Sequence, residues 1–268
     1  HYAATRLLYG LSTGPSGFSR IMAKIFDHPS IILYLDDIIC IDTSFEAHLE
    51  TLEFIFQTCV NTGLLLSAKK CFLCRNQADF LGYSISKNGL QPTDKHIEVI
   101  KNLTAPKSRN EVKRLLGTVN YNIKFVRNGS SILQPLYELT SKCVPFKWEN
   151  RHEMAFQTVK NELLKKPSLA HFQLGKPLIL VTDSSGKKVG GVLYQKDGEN
   201  MNVLGYFSRA LTGPDLKRSM RIKELFALAF SISHFEYFLL NTHFTCVVDH
   251  KSLLFLFKEQ RIKNHRSK

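Results

Sequence analysis

The chain has 268 residues, 44% of them hydrophobic and 22% charged, a composition that fits about two folded domains and excludes a disordered or fibrous protein. No run of about 18 uninterrupted apolar residues occurs, so nothing reads as a membrane-spanning helix, and the opening HYAATRLLYG is not a secretory signal. A net charge of +13 favours polyanionic partners, nucleic acid foremost.

The charge is uneven: residues 1–91 carry −1, residues 92–145 +5, residues 146–249 +4 and residues 250–268 +5. A phosphate-gripping surface accounts for this, and so does an ordinary solvated lysine-rich face. Six cysteines are scattered along the chain, and only Cys71 and Cys74 have C-x-x-C spacing. No second Cys/His pair matches it, so spacing argues against structural zinc and for reduced thiols of an intracellular protein. The missing initiator Met suggests a processed product or an excised fragment.

In chain order, Ile31–Ile41 (IILYLDDIICI) is apolar on both sides of an acidic pair, predicting two short strands that turn at Asp36-Asp37. Thr43-Ser44-Phe45-Glu46 has capping-box form and starts a helix. Leu49, Leu52, Phe56, Cys59 and Val60 recur along it at helical spacing, and Gly63 ends it. Strand-like pieces follow near Leu64–Leu66 and Asp79–Ile85, with a turn at Asn88-Gly89.

From Pro92 to about Pro145 the period is helical. Pro106 separates two helices, and Ser108 with Glu111 caps the second. At about 100° per residue, Val112, Leu115, Leu116 and Val119 fall on one side of that helix. Lys113, Gly117, Asn120 and, if the helix reaches so far, Lys124 fall on the other. A further helix is expected from near Asn150 to Pro167. Strands follow at Pro177–Thr182, Gly190–Gln195 and Val203–Ser208, with a turn at Asp197-Gly198, then a long helix over about Ile222–Leu239 and a strand Phe244–Val248. The coarse picture is two mixed α/β units joined by a basic helical one.

Two acidic constellations stand out. Asp36 and Asp37 can approach one point only if the chain turns there. Two anions among Ile, Leu and Tyr need a cation to neutralise them, and Mg²⁺ suits carboxylates combined with phosphate oxygens. A hairpin with a wet acidic tip fits the same residues. Asp183 and Asp249 end apolar strands and Glu224 sits early in the long helix, an arrangement that can converge on a pair of Mg²⁺ ions for phosphodiester hydrolysis. Each Asp alone would read as a turn residue.

Tyr34-Leu35-Asp36-Asp37 resembles the Tyr-x-Asp-Asp box of reverse transcriptases of the gypsy type. Leu8 to Phe18 with Met22 resembles that family's Gly-rich signature, and Phe80-Leu81-Gly82-Tyr83 with Gly89-Leu90 its primer-grip hairpin. Leu115-Leu116-Gly117 with Asn120-Tyr121 is similar to its thumb helix. Thr182-Asp183-Ser184-Ser185, Lys223-Glu224-Leu225 and Asp249-His250-Lys251 resemble successive RNase H boxes. The similarity is collinear along the chain.

The resemblance implies an α/β (α+β) fold. Residues 1–91 would form a polymerase palm lacking the fingers and first catalytic strand, residues 92–145 a thumb, and residues 146–268 a connection and C-terminally truncated RNase H-like domain. It implies RNA-directed DNA polymerase and RNase H activities dependent on Mg²⁺, with Mn²⁺ as a substitute. Asp36, Asp37, Asp183, Glu224 and Asp249 would be the catalytic metal ligands. Tyr9, Gly10 and Tyr34 would shape the nucleotide and template pocket, Leu81, Gly82 and Tyr83 the primer grip, and Lys113, Gly117, Asn120 and Lys124 a nucleic-acid face. Implied partners are RNA template, DNA primer, their hybrid, deoxynucleoside triphosphates, and protease and integrase domains of a polyprotein, with no membrane. The implied location is cytoplasmic, in retrotransposon particles.

Leu8, Tyr9, Gly14 and Asn122-Ile123 depart from the family's usual residues. Its further polymerase Asp falls before His1 and its last RNase H acid beyond Asp249, so most of each site is expected here, not all. The competing expectations are a retroelement-derived fragment that binds nucleic acid without catalysis, and a nuclease alone.

Overall fold

Alternate residues of a strand face opposite sides of its sheet, and the first hairpin is arranged on that rule. β1 (Ile31–Tyr34) pairs antiparallel with β2 (Asp37–Cys40) in the register Ile31↔Cys40, Leu33↔Ile38 and Tyr34↔Asp37. Ile31, Leu33, Ile38 and Cys40 therefore share one face, and they pack on Met22 and Phe26 and on Ile55 and Cys59. These partners come from α1 (Gly14–Ile25) with its C-cap Phe26, and from α2 (Phe45–Thr62). Tyr34 and Asp37 lie on the other face. The computed structural model describes Gly10 and residues 12–249, which fall into two compact units divided between Leu81 and Gly82.

In the first unit α2 is capped one residue later than the capping-box pattern suggests: Ser44 Oγ accepts the Ala47 N–H at 3.2 Å. Gly63, at φ +70, ends the helix by donating its N–H to the Cys59 carbonyl. The buried stripe is Thr51, Leu52, Ile55 and Cys59, while Leu49, Phe56 and Val60, expected to face the core, are exposed. The hairpin covers a narrower strip of the helix than its apolar content offers. Leu64–Leu66 is not a strand, and β3 (Gln77–Phe80) closes the unit.

The second unit begins with the hairpin β4 (Tyr83–Ser86) and β5 (Gly89–Pro92), paired Ser86↔Gly89. α3 (Asp94–Lys101) and α4 (Arg109–Asn120) follow on either side of Pro106. Ser108 Oγ accepts the Glu111 N–H, as the sequence suggests. One core then joins Val112, Leu115, Leu116 and Val119 of α4 to Leu133 and Leu136 of α5 (Gly129–Glu138) and to Phe156, Val159 and Leu163 of α6 (Asn150–Leu164).

The remaining strands form one sheet in the order β8-β7-β6-β9: β6 (Leu178–Ser184), β7 (Lys188–Asp197), β8 (Asn200–Ala210) and β9 (Phe244–Val248). α7 (Met220–His234) packs on β6 and β7, and Phe235 separates it from the short α8 (Glu236–Leu239), where one long helix was expected. Gly191 permits this approach, because a Cβ there would collide with Ser231 of α7. α5 is tied to the sheet by Ser130, whose N–H donates to Ser208 Oγ (2.9 Å) and whose Oγ donates to the Ser208 carbonyl (2.7 Å). Helices and sheet thus belong to one compact unit.

His152 lies inside the helical core, 1% exposed. Its Nδ1 accepts the Glu149 N–H at 2.9 Å and its Nε2 has no partner. Burial first, and the charge of Arg151 second, hold its pKa below the ordinary 6.5. The folded state thus resists a proton that the unfolded chain accepts, so its contribution is complete above pH about 6.5 and is lost as pH falls towards the folded value. Urea unfolding between about pH 7 and 5 is expected to show falling stability, with a shallower fall in His152→Gln. A slope unchanged by the substitution would assign the loss elsewhere.

Candidate active sites and nucleic-acid face

Only Leu35 and Asp36 connect β1 to β2. Leu35 sits at φ +54, a conformation that costs a non-glycine residue about 1–2 kcal/mol. This turn leaves the side chains of Asp36 and Asp37 exposed, next to the exposed Tyr34. The burial that the apolar flanks suggest is therefore absent, and water screens the two charges. The pair is presented to solvent as an open acidic tip. Gly10 is described, exposed and at φ +88, whereas Tyr9 lies outside the described residues.

The second constellation is set by strand register. β6 and β9 run parallel with Thr182 opposite Val248, so Asp183 and Asp249 leave adjacent strands side by side. Glu224 comes down on the same end from α7, 4% exposed, and its Oε1 accepts the Ser184 hydroxyl at 2.8 Å. Its Oε2 is buried with no hydrogen-bond partner, an expensive state for a carboxylate oxygen. Asp183 and Asp249 are exposed. Among the described residues the three carboxylates share an edge of the sheet without closing to within 4.8 Å of one another. His250 and Lys251 lie outside the described residues.

In the second unit Tyr83 is anchored rather than free. Its ring stacks on Tyr121 (4.9 Å between centroids, 5° between planes), and its hydroxyl donates to the Tyr121 carbonyl at 3.0 Å. Burial and these contacts raise its hydroxyl pKa. Leu81 and Gly82 both take left-handed φ, +48 and +72. A Cβ on Gly82 would lie 2.6 Å from Tyr121 Oη and 2.7 Å from His96 Cε1.

On α4 the amphipathic reading holds: Lys113, Gly117 and Asn120 are exposed opposite the buried stripe, and space beside Gly117 is open. Asn120 accepts the Tyr137 hydroxyl at 2.7 Å. Lys124 does not extend this face. The helix stops at Asn120, and a 3-10 turn carries the Lys124 ammonium to 3.5 Å from the Tyr83 ring centroid, where desolvation lowers its pKa.

Sequence spacing gave no sign of a third cluster in the first unit. Cys40, Asp42 and His48 bring their donor atoms within 4.8 Å of one another at the junction of β2 and α2. Cys71 and Cys74, the C-x-x-C pair, are both exposed.

Known proteins show the same organisation. Residues 1–85 match the family model for reverse transcriptase (RNA-dependent DNA polymerase), and residues 148–246 match that for the RNase H-like domain found in reverse transcriptase. The Transposon Tf2-3 polyprotein of Schizosaccharomyces pombe is 32% identical over 252 residues, 92% of this chain and 19% of the relative. The Retrovirus-related Pol polyprotein from transposon 412 of Drosophila melanogaster is 32% identical over 259 residues, 96% of this chain and 21% of the relative. A solved foamy viral protease-reverse transcriptase in complex with dsDNA superimposes with a TM-score of 0.84 at 28% identity, over 95% of this chain and 54% of that one. The same viral protein in complex with RNA/DNA hybrid gives 0.81 at 26%, over 93% and 34%.

The chain belongs to the reverse transcriptases. Within them it matches the reverse transcriptase and RNase H region of retrotransposon polyproteins, and it spans about a fifth of the length of the curated relatives it matches.

The packing at Gly82 yields a direct test. Gly82→Ala is expected to destabilise the protein by about 2–4 kcal/mol, from left-handed strain plus overpacking. Adding Tyr121→Phe, which removes the nearer clashing atom, should restore part of the loss in a double-mutant cycle of unfolding free energies. Strict additivity would show that the two positions do not touch.

Proposed function

We propose that this chain carries the palm hairpin, thumb and RNase H core of an RNA-directed DNA polymerase that copies retrotransposon RNA and degrades the copied strand. The observation that carries the reading is the exposed Asp36-Asp37 pair, held at the tip of a tight hairpin in the segment that matches reverse transcriptases. Asp36 is assigned as a metal-holding carboxylate and Asp37 as its support, with Tyr34 and Gly10 shaping the pocket beside them. Asp183, Glu224 and Asp249 form the second set, and the unpartnered Glu224 Oε2 fits a group that completes its coordination with a cation.

Both donor sets consist of carboxylate oxygens, which suit Mg²⁺ or Mn²⁺. Divalent cations bound there would polarise phosphate oxygens and neutralise charge that builds up on them. The residues themselves orient the groups: Ser184 fixes one oxygen of Glu224, and the hairpin turn fixes where Asp36 points. The foamy viral relatives are solved with dsDNA and with RNA/DNA hybrid, and the same ligands, with deoxynucleoside triphosphates, are proposed here. The exposed Lys113–Gly117–Asn120 face of α4 is the surface assigned to the duplex backbone. The alternative is binding without catalysis, on which the substituted residues Leu8, Tyr9 and Gly14 of the Gly-rich segment bear.

Separation of function distinguishes the two. In the polyprotein-derived enzyme carrying this segment, Asp36→Asn should abolish primer extension on RNA while leaving hybrid cleavage, and Glu224→Gln should do the reverse. An Asp36→Asn enzyme extending primers at the wild-type rate would remove Asp36 from the site. Hybrid cleavage unaffected by Glu224→Gln would remove Glu224 from the nuclease site, and a wild-type enzyme that binds the hybrid but neither extends nor cleaves would favour binding alone.

For the duplex face, Lys113→Ala is expected to weaken hybrid binding regardless of sequence and to flatten its salt dependence by about one phosphate contact. Lys124→Ala, which loses a cation–π contact instead, should change stability more than salt slope. Equal slopes for Lys113→Ala and wild type would place the duplex elsewhere.

A further inference from the structure

At the base of the acidic hairpin, three side chains of different chemistry meet without a role in the reading above. Cys40 ends β2, Asp42 lies in the link that follows, and His48 stands in the first turns of α2. His48 Nδ1 is 2.9 Å from Asp42 Oδ2 and 4.0 Å from Cys40 Sγ, and all three donors lie within 4.8 Å of one another. A tetrahedral ion with bonds of about 2.0–2.3 Å sets its donors about 3.3–3.7 Å apart. That range falls between the two observed separations, so small side-chain rotations would seat an ion.

The surroundings suit one. The Asp42 side chain is 3% exposed and that of His48 18%. Thr51 Oγ1 donates to Asp42 Oδ1 at 2.9 Å, aiming the other oxygen at His48 and supplying the outer hydrogen bond that metal-binding carboxylates commonly have. A sulfur, a nitrogen and an oxygen form a borderline-soft set that Zn²⁺ accepts and Mg²⁺, which prefers oxygen alone, does not.

We propose that Cys40, Asp42 and His48 form a zinc-class metal site that clamps the end of β2 to α2 beneath the Leu35-Asp36 turn. The site differs in donor chemistry from both carboxylate sets and stands whether or not those are catalytic. Its competitor is a hydrogen-bonded staple of Asp42, His48 and Thr51, which needs no thiol.

Cobalt separates the two, because only coordination by a thiolate gives sulfur-to-cobalt charge transfer. The reduced, metal-free full chain is titrated with Co²⁺ in excess Mg²⁺, which keeps the oxygen-only sites filled. One equivalent should bind with a charge-transfer band, and Zn²⁺ should displace it. Cys40→Ser should remove the band and His48→Ala should weaken binding at least about tenfold, while Cys71→Ser leaves both unchanged, with circular dichroism checking that each variant is folded. A wild-type chain without the band, or a band that survives Cys40→Ser in a folded variant, overturns the proposal, and the wild-type titration decides even if a variant fails to fold.

Discussion

The turn between Tyr34 and Asp37 is the constraint on which the first site depends. Two residues must reverse the chain, and the first of them, Leu35, is held in a left-handed conformation that glycine would adopt without penalty. The strain of about 1–2 kcal/mol is offset by the apolar pairs behind it, Leu33↔Ile38 and Ile31↔Cys40, packed on Phe26 and Ile55. Because those pairs fix the register, they also fix which residues stand at the tip. A slip of one residue would turn Asp37 towards the helices and bury it.

The second site follows from where strands stop. Parallel pairing of β6 with β9 brings Asp183 and Asp249 to one edge, and the close descent of α7 over Gly191 adds Glu224. A buried carboxylate with one oxygen bonded to Ser184 and the other unpartnered is destabilising as it stands. The fold tolerates it on the large core formed by Leu178, Leu180, Leu193 and Leu228. At both acidic clusters a packed apolar scaffold holds polar groups in positions that do not favour the fold itself, and under the proposed function those groups would meet phosphate and metal.

Much of this was legible in the sequence wherever a local rule decides the outcome. The Ser108 cap, the Gly63 stop, the buried stripe of α4 and the strands flanking Asp36-Asp37 all depend on neighbours within a few residues. Tertiary contacts decided the rest. Phe56 and Val60 have the right helical spacing for a core and stay exposed because the hairpin covers Ile55 and Cys59 instead. Lys124 lies at the right interval after Lys113, but the helix ends first and the ammonium turns onto Tyr83. The acidic tip is wetter than its apolar flanks imply, since a two-residue turn has no room to bury its own side chains. Cys40, Asp42 and His48 span the end of a strand, a link and a helix, so no single periodicity could align them.

The central claim is that one chain presents two separate carboxylate sets for divalent cations. Replacing Mg²⁺ with Fe²⁺ and generating hydroxyl radicals at the bound metal would cut the backbone beside each ion, and mapping the fragments locates the ions directly. For the full chain bound to an RNA–DNA hybrid, the expected result is cleavage clustered around Tyr34–Ile38 and, separately, around Asp183, Glu224 and Asp249, both suppressed by added Mg²⁺. Cleavage absent from either cluster, or not competed by Mg²⁺ there, would contradict the account.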